Sequence, residues 1–102
     1  MMVIYSVTIT VKIEIEKEWF DWMKNIHAPK VVKTGCFSAF KMYKVLIPSN
    51  EPGEVSYKVD YFCESYEQYK TYSETEATKL QREHAEKFHG KITTARAVFE
   101  EI

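Results

Sequence analysis

Three histidines, seven tyrosines and a few charged residues at strand spacing carry what chemistry this chain can perform. His27 is the leading catalytic candidate, because an imidazole takes up and releases a proton near neutral pH. It stands two residues before Pro29, so a competing reading has the ring capping carbonyls that the proline leaves without a donor. Tyr5, Tyr43, Tyr57 and Tyr61 offer phenolic donors to a small-molecule pocket, and Trp19 and Trp22 offer apolar walls. The same alternating aromatics suit a strand core equally well. Lys58, Asp60 and Arg96 form a third set, able to hold an anionic ligand or to fix the register of two associating copies. His84 and His89 are five apart, so they do not share a helix face as two ligands four apart would. With Glu83 and Glu86 nearby a metal site is conceivable, but a solvated helix surface is the reading favoured here. No Gly-rich phosphate loop, GxSxG elbow or HExxH pair occurs, and neither a metal nor a nucleotide cofactor is expected.

Composition narrows the partners. A formal net charge of −1 leaves no basic excess to neutralise phosphates, which argues against nucleic acid and anionic membranes. No stretch approaches the ~20 apolar residues of a membrane span, and Met1 to Ile9 lacks the basic start and cleavage site of a signal peptide. Cys36 and Cys63 are far apart and read as free thiols in a reducing cytoplasm. Aromatics reach 15%, a richness that suits an interface, a ligand pocket or a small core filled with large residues.

The elements that must position these residues follow from periodicity. Val3, Tyr5, Val7, Ile9, Val11 and Ile13 alternate with Ser6, Thr8, Thr10 and Lys12, which predicts a long first strand. From Glu16 to about Lys33 the period becomes helical, with Trp19, Trp22, Met23, Ile26 and Lys30 on one stripe. Acidic residues gather at its start, Pro29 predicts a kink near His27–Pro29, and Gly35 is the expected stop. Phe37 to Ile47 reads as a second strand, Pro48 to Gly53 as a turn, and Val55, Tyr57, Val59 and Tyr61 as a third strand closing a hairpin. Ser65 and Gln68 form a capping box ahead of a helix to about Phe88. Tyr69, Tyr72, Ala77, Leu80, His84 and Phe88 lie on or near its one stripe, a break is expected near Ser73–Thr75, and His89-Gly90 ends it. Ile92 to Ile102 forms the last strand.

This order predicts one α+β domain over residues 1–102: a ferredoxin-like βαββαβ plait, its antiparallel sheet ordered 4-1-3-2 with both helices on one face. Parity assigns Ser6, Thr8, Thr10, Ser56, Lys58, Asp60, Phe62, Thr94, Arg96 and Val98 to the bare face. Pairing of that face with a second copy is the economical way to cover it.

The run Trp19-x-x-Trp22-Met23-x-x-x-His27-x-Pro29, followed by Thr34-Gly35-Cys36-Phe37, resembles the dimeric α/β-barrel superfamily, in particular its EthD-type and antibiotic-monooxygenase-like members. The chain looks closest to a bacterial family of uncharacterised proteins of this length. The resemblance implies a sheet-to-sheet homodimer and, for His27, proton transfer in a cleft between helix and sheet. Two readings follow. In the first, a cytoplasmic homodimer binds a small organic molecule and, if it is an enzyme, performs cofactor-free proton transfer, oxygenation or isomerisation on an aromatic or carbonyl compound. His27 would be the acid/base there, with Tyr5, Tyr43 or Tyr61 orienting the substrate. In the second, the chain is a non-catalytic binding or assembly module whose open face serves only association. A cavity bounded by His27, Tyr and Trp side chains favours the first, and a filled interior with His27 bonded to main chain favours the second.

Overall fold

The computed structural model describes all of residues 1–102. β1 (Val3–Lys12) occupies the middle of a four-stranded sheet ordered β2-β3-β1-β4, the expected 4-1-3-2 order read from the other edge. β3 (Glu54–Cys63) and β4 (Ile92–Glu100) flank it antiparallel, and β2 (Ala39–Lys44) pairs antiparallel with β3. The alternation written into β1 is obeyed: Val3, Tyr5, Val7, Ile9 and Val11 are buried under the helices. In register across β3 stand Cys63, Tyr61, Val59, Tyr57 and Val55, which bury the same face. Transfer of these branched and aromatic side chains out of water, at ~25 cal/mol per Å², is what holds the layers together.

The first helical segment is not uniform. A 3₁₀ turn (Ile13–Ile15) leads into α1 (Glu16–Trp22), which passes through a π-helical turn (Met23–His27) into α2 (Ala28–Val32). Within the π turn the Ala28 N–H donates to the Met23 carbonyl, five residues back. The wider turn takes up one extra residue, so the buried stripe runs Trp19, Met23, His27, Ala28 and Val31. Ile26, expected on that stripe, is displaced outward and 56% exposed, and Lys30 reaches the surface to pair with Glu83. The disturbance expected at Pro29 is thus met just before it.

α3 (Tyr66–Thr75) opens on Ser65, whose Oγ accepts from the Gln68 N–H. The returning bond of Gln68 goes to the Glu64 N–H, one residue ahead of the expected capping-box partner. The helix breaks at Glu76, as its Ser/Thr content predicts, and resumes as α4 (Ala77–Lys87). Gly90 follows at φ 76°, a left-handed residue that stops the helix. β2 is shorter than expected, because Gly35 to Ser38 turn before the ladder begins and the chain leaves it after Lys44.

One assignment of faces is corrected. Register pairs Arg96 with Val7, Thr94 with Ile9 and Val98 with Tyr5, so these three residues lie on the helix side, not the bare side. The bare side of β4 carries Thr93, Ala95, Ala97 and Phe99 instead. The helices do not reach over this edge strand, so its helix-side positions stay exposed and have no need to be apolar.

Candidate functional site

Between α1–α2, α4 and the sheet lies a cavity lined by Tyr5, His27, Tyr61, Gln81, His84 and Arg96 together with aliphatic core residues. It leaves about 20 Å³ for an occupant, the room of a single water. Gln81, His84 and Arg96 also line a wider cleft of about 210 Å³ between α4 and β4, reaching His89, Gly90, Ile92 and Thr94. The inner cavity and the outer cleft meet at those three shared side chains.

The π turn delivers His27 to this place, and the α4 stripe delivers His84 one turn after Leu80. Their rings stand 5.3 Å apart, and Trp22 stacks on His27 at 4.7 Å. Trp19 Nε1 donates to His84 Nε2 at 2.9 Å, which leaves the only proton of a neutral His84 on Nδ1. No such bond fixes His27, whose Nδ1 is buried without a partner. Burial lowers the His27 pKa to about 4; Glu83 opposes this, while Lys30 and Arg96 add to it. Burial lowers that of His84 to about 3, helped by His27 and Arg96. Both rings are therefore neutral at physiological pH.

Arg96 Nε and Gln81 Nε2 both donate to the Tyr5 hydroxyl oxygen, at 3.2 and 3.3 Å. With both lone pairs so engaged, the Tyr5 O–H proton is free to donate to something else. Burial raises the Tyr5 pKa against the opposing charge of Arg96, so the phenol stays protonated. Tyr61 and Tyr72 are raised further by burial. The arrangement can accept a proton at an imidazole and offer donors from Tyr5, His84 and Arg96 within one apolar enclosure.

Of the residues singled out in the sequence, His27, Tyr5, Tyr61 and Arg96 line the cavity, and Trp22 walls His27. Tyr43, Lys58 and Asp60 lie on the opposite face of the sheet, so Tyr43 is not part of the cleft. There Lys58 Nζ pairs with Asp60 Oδ2 at 3.1 Å and sits over the Tyr43 ring, while Asp60 Oδ1 is buried unpartnered. Arg96 does not join them. His84, read as a solvated surface residue, is only 4% exposed. The signal for it was the stripe Leu80–His84–Phe88, which alone placed it inward. No group of three His, Cys, Asp or Glu side chains is placed to hold a metal ion.

The fold recurs in known structures. Across its full length the chain is similar in structure to an EthD family protein from Bacillus halodurans, with TM-score 0.69, 21% identity and complete coverage of both chains. It is also similar to SnoaB, a cofactor-independent oxygenase from Streptomyces nogalater, with TM-score 0.65, 10% identity, and 97% of this chain and 92% of that chain covered. A dimeric ferredoxin-like protein from an uncultured marine organism matches with TM-score 0.57 at 18% identity, covering both chains fully. At such identities the likeness is one of fold, and it is the EthD-type and antibiotic-monooxygenase-like fold that the motif around His27 resembles. The chain belongs to the DUF4286 family, a domain of unknown function whose model matches residues 2–102. No curated protein sequence matches it.

Proposed function

We propose that this protein is a homodimeric, single-domain small-molecule-binding protein of the cytoplasm whose ligand enters the cleft between α4 and β4. The chain performs cofactor-free proton transfer on it, with His27 as the acid/base, reached from the cleft through the adjoining inner cavity that has the room of one water. The observation that carries the reading is the pairing of a 94% buried imidazole lacking any partner at Nδ1 with an enclosure bounded by Tyr5, Tyr61 and Arg96. A buried polar nitrogen ordinarily has a hydrogen-bond partner in the fold, as His84 Nε2 has in Trp19, and His27 Nδ1 has none. Its lowered pKa, about 4, keeps the ring unprotonated at neutral pH, so a nitrogen is free to accept a proton, as a weak base. Tyr5 and Tyr61 orient the substrate, and Trp22 shields the base.

Association through the open sheet face supplies the rest. That face exposes Ala95, Ala97 and Phe99, the last at 53%, beside half-buried Phe62 and the Lys58–Asp60 pair. A fold neighbour is itself dimeric. Asp60 Oδ1 and the Lys58 ammonium then serve dimer register.

Thermal shift against a diverse metabolite library, run on wild type and His27→Gln together, tests the reading. A ligand at a hundredfold excess over its Kd stabilises by ~2.7 kcal/mol, several degrees for a domain of this size. The expected result is a hit whose shift is lost in a His27→Gln protein that still melts cooperatively. A library without hits overturns the reading and leaves an assembly module, a role the small inner volume of about 20 Å³ would suit.

A further inference from the structure

We infer that the ligand of the α4–β4 cleft is a small organic carboxylate, its anionic group held by the Arg96 guanidinium. This rests on the cleft being a ligand site at all. The observation behind it is an imbalance of charge. Neither the inner cavity nor the outer cleft has an Asp or Glu among its lining residues, and Arg96 is the one permanent charge in both. Arg96 takes part in no ion pair of the fold. Its Nε and Nη1 donate only to hydroxyls, those of Tyr5 and Thr94 at 3.2 Å, and these neutral partners preorganise the guanidinium without neutralising it. A planar fork held this way matches a carboxylate.

The neighbours point to the same class. Both imidazoles are neutral in the fold, which leaves Arg96 as the cation there, and the tautomer imposed by Trp19 leaves His84 Nδ1–H as a donor. The free O–H of Tyr5 stands in the adjoining inner cavity, behind Arg96. Size fixes the remainder. A cavity of about 150 Å³ holds a benzene ring, so about 210 Å³ accommodates one ring, or a short chain, bearing a carboxylate. The apolar body lies against Ala85 and Ile92.

Titration of the ¹⁵N-labelled protein with benzoate and with its uncharged counterpart benzamide tests this by amide shifts. Benzoate is expected to move the amides of Gln81, His84, Gly90 and Thr94 saturably, with a Kd roughly tenfold or more below that of benzamide. Arg96→Gln abolishes that difference, and Arg96→Lys, keeping the charge, retains part of it. Equal affinities of the two probes at these amides overturn the carboxylate assignment while leaving the cleft a binding site. An undiminished benzoate preference in a well-dispersed Arg96→Gln spectrum removes Arg96 from the role. If neither probe moves these amides, the carboxylate assignment and the cleft reading fall together.

Discussion

A buried imidazole that must stay neutral ties the stability of this protein to pH. In the unfolded chain His27 and His84 titrate near the ordinary value of ~6.5, and in the fold at about 4 and about 3. Between these limits the unfolded chain binds more protons, so the stability is fully present above pH ~6.5 and is lost as pH falls toward the folded values. The expected loss is about 2 kcal/mol per ring between pH 7.5 and 5, above the range in which most carboxylates titrate. His27 faces Glu83, Lys30, Arg96, Trp22 and His84; His84 faces Trp19, Trp22, His27, Arg96 and Phe88. Glu83 is already tied to Lys30 at 2.9 Å, so it does not rescue an imidazolium. Urea midpoints measured across this window should fall steeply in wild type and by about half as much in His27→Gln. A flat profile would mean that the rings are solvated. At this scale the sequence identified His27 by type and neighbourhood, but it had no means of pairing it with His84. That partnership spans 57 positions and is made by packing, which local spacing does not encode.

Among the elements, the π turn decides which side chain the first helical segment turns inward. An uninterrupted α-helix would have kept Ile26 on the stripe of Trp19 and Met23. The extra residue substitutes His27, a polar group, for an aliphatic one, which is why reading the segment at 3.6 residues per turn buried the wrong neighbour. Such turns are insertions within α-helices and concentrate at functional sites. Deletion of the exposed Asn25 converts the i→i+5 bond into an α-helical one and leaves His27 three residues after Met23, still on the inward stripe. A melting temperature within a few degrees of wild type and retained ligand-induced stabilisation are therefore expected. Calorimetry with and without ligand checks this; collapse of the fold on deletion would show the turn to be structural. β4 failed differently. β1 and β3 announce their faces because one side of each is buried, whereas the helix side of β4 is uncovered and holds Thr94 and Arg96. Alternation there carries no inward signal. The strand order itself was legible, because four strands and two crossovers leave one economical solution.

The molecule measures 39 × 28 × 19 Å and leaves one broad side of its sheet without a covering layer. Sedimentation across micromolar concentrations should return twice the chain mass of 12.0 kDa. Phe99→Asp places a charge on the open face and should shift that mass to a single chain without altering the circular dichroism. A monomeric wild type would remove the homodimer from the reading. Lys58 and Asp60, which the sequence left open as anion holders or as a register pair, stand on the open face with the cavity on the other side, where the proposed dimer would use them for register. The chain has two tryptophans, and both stand at the histidine pair, Trp19 bonded to His84 and Trp22 stacked on His27. Every photon of indole emission from this protein therefore originates beside the cavity, and unlabelled protein carries its own optical gauge of what enters there.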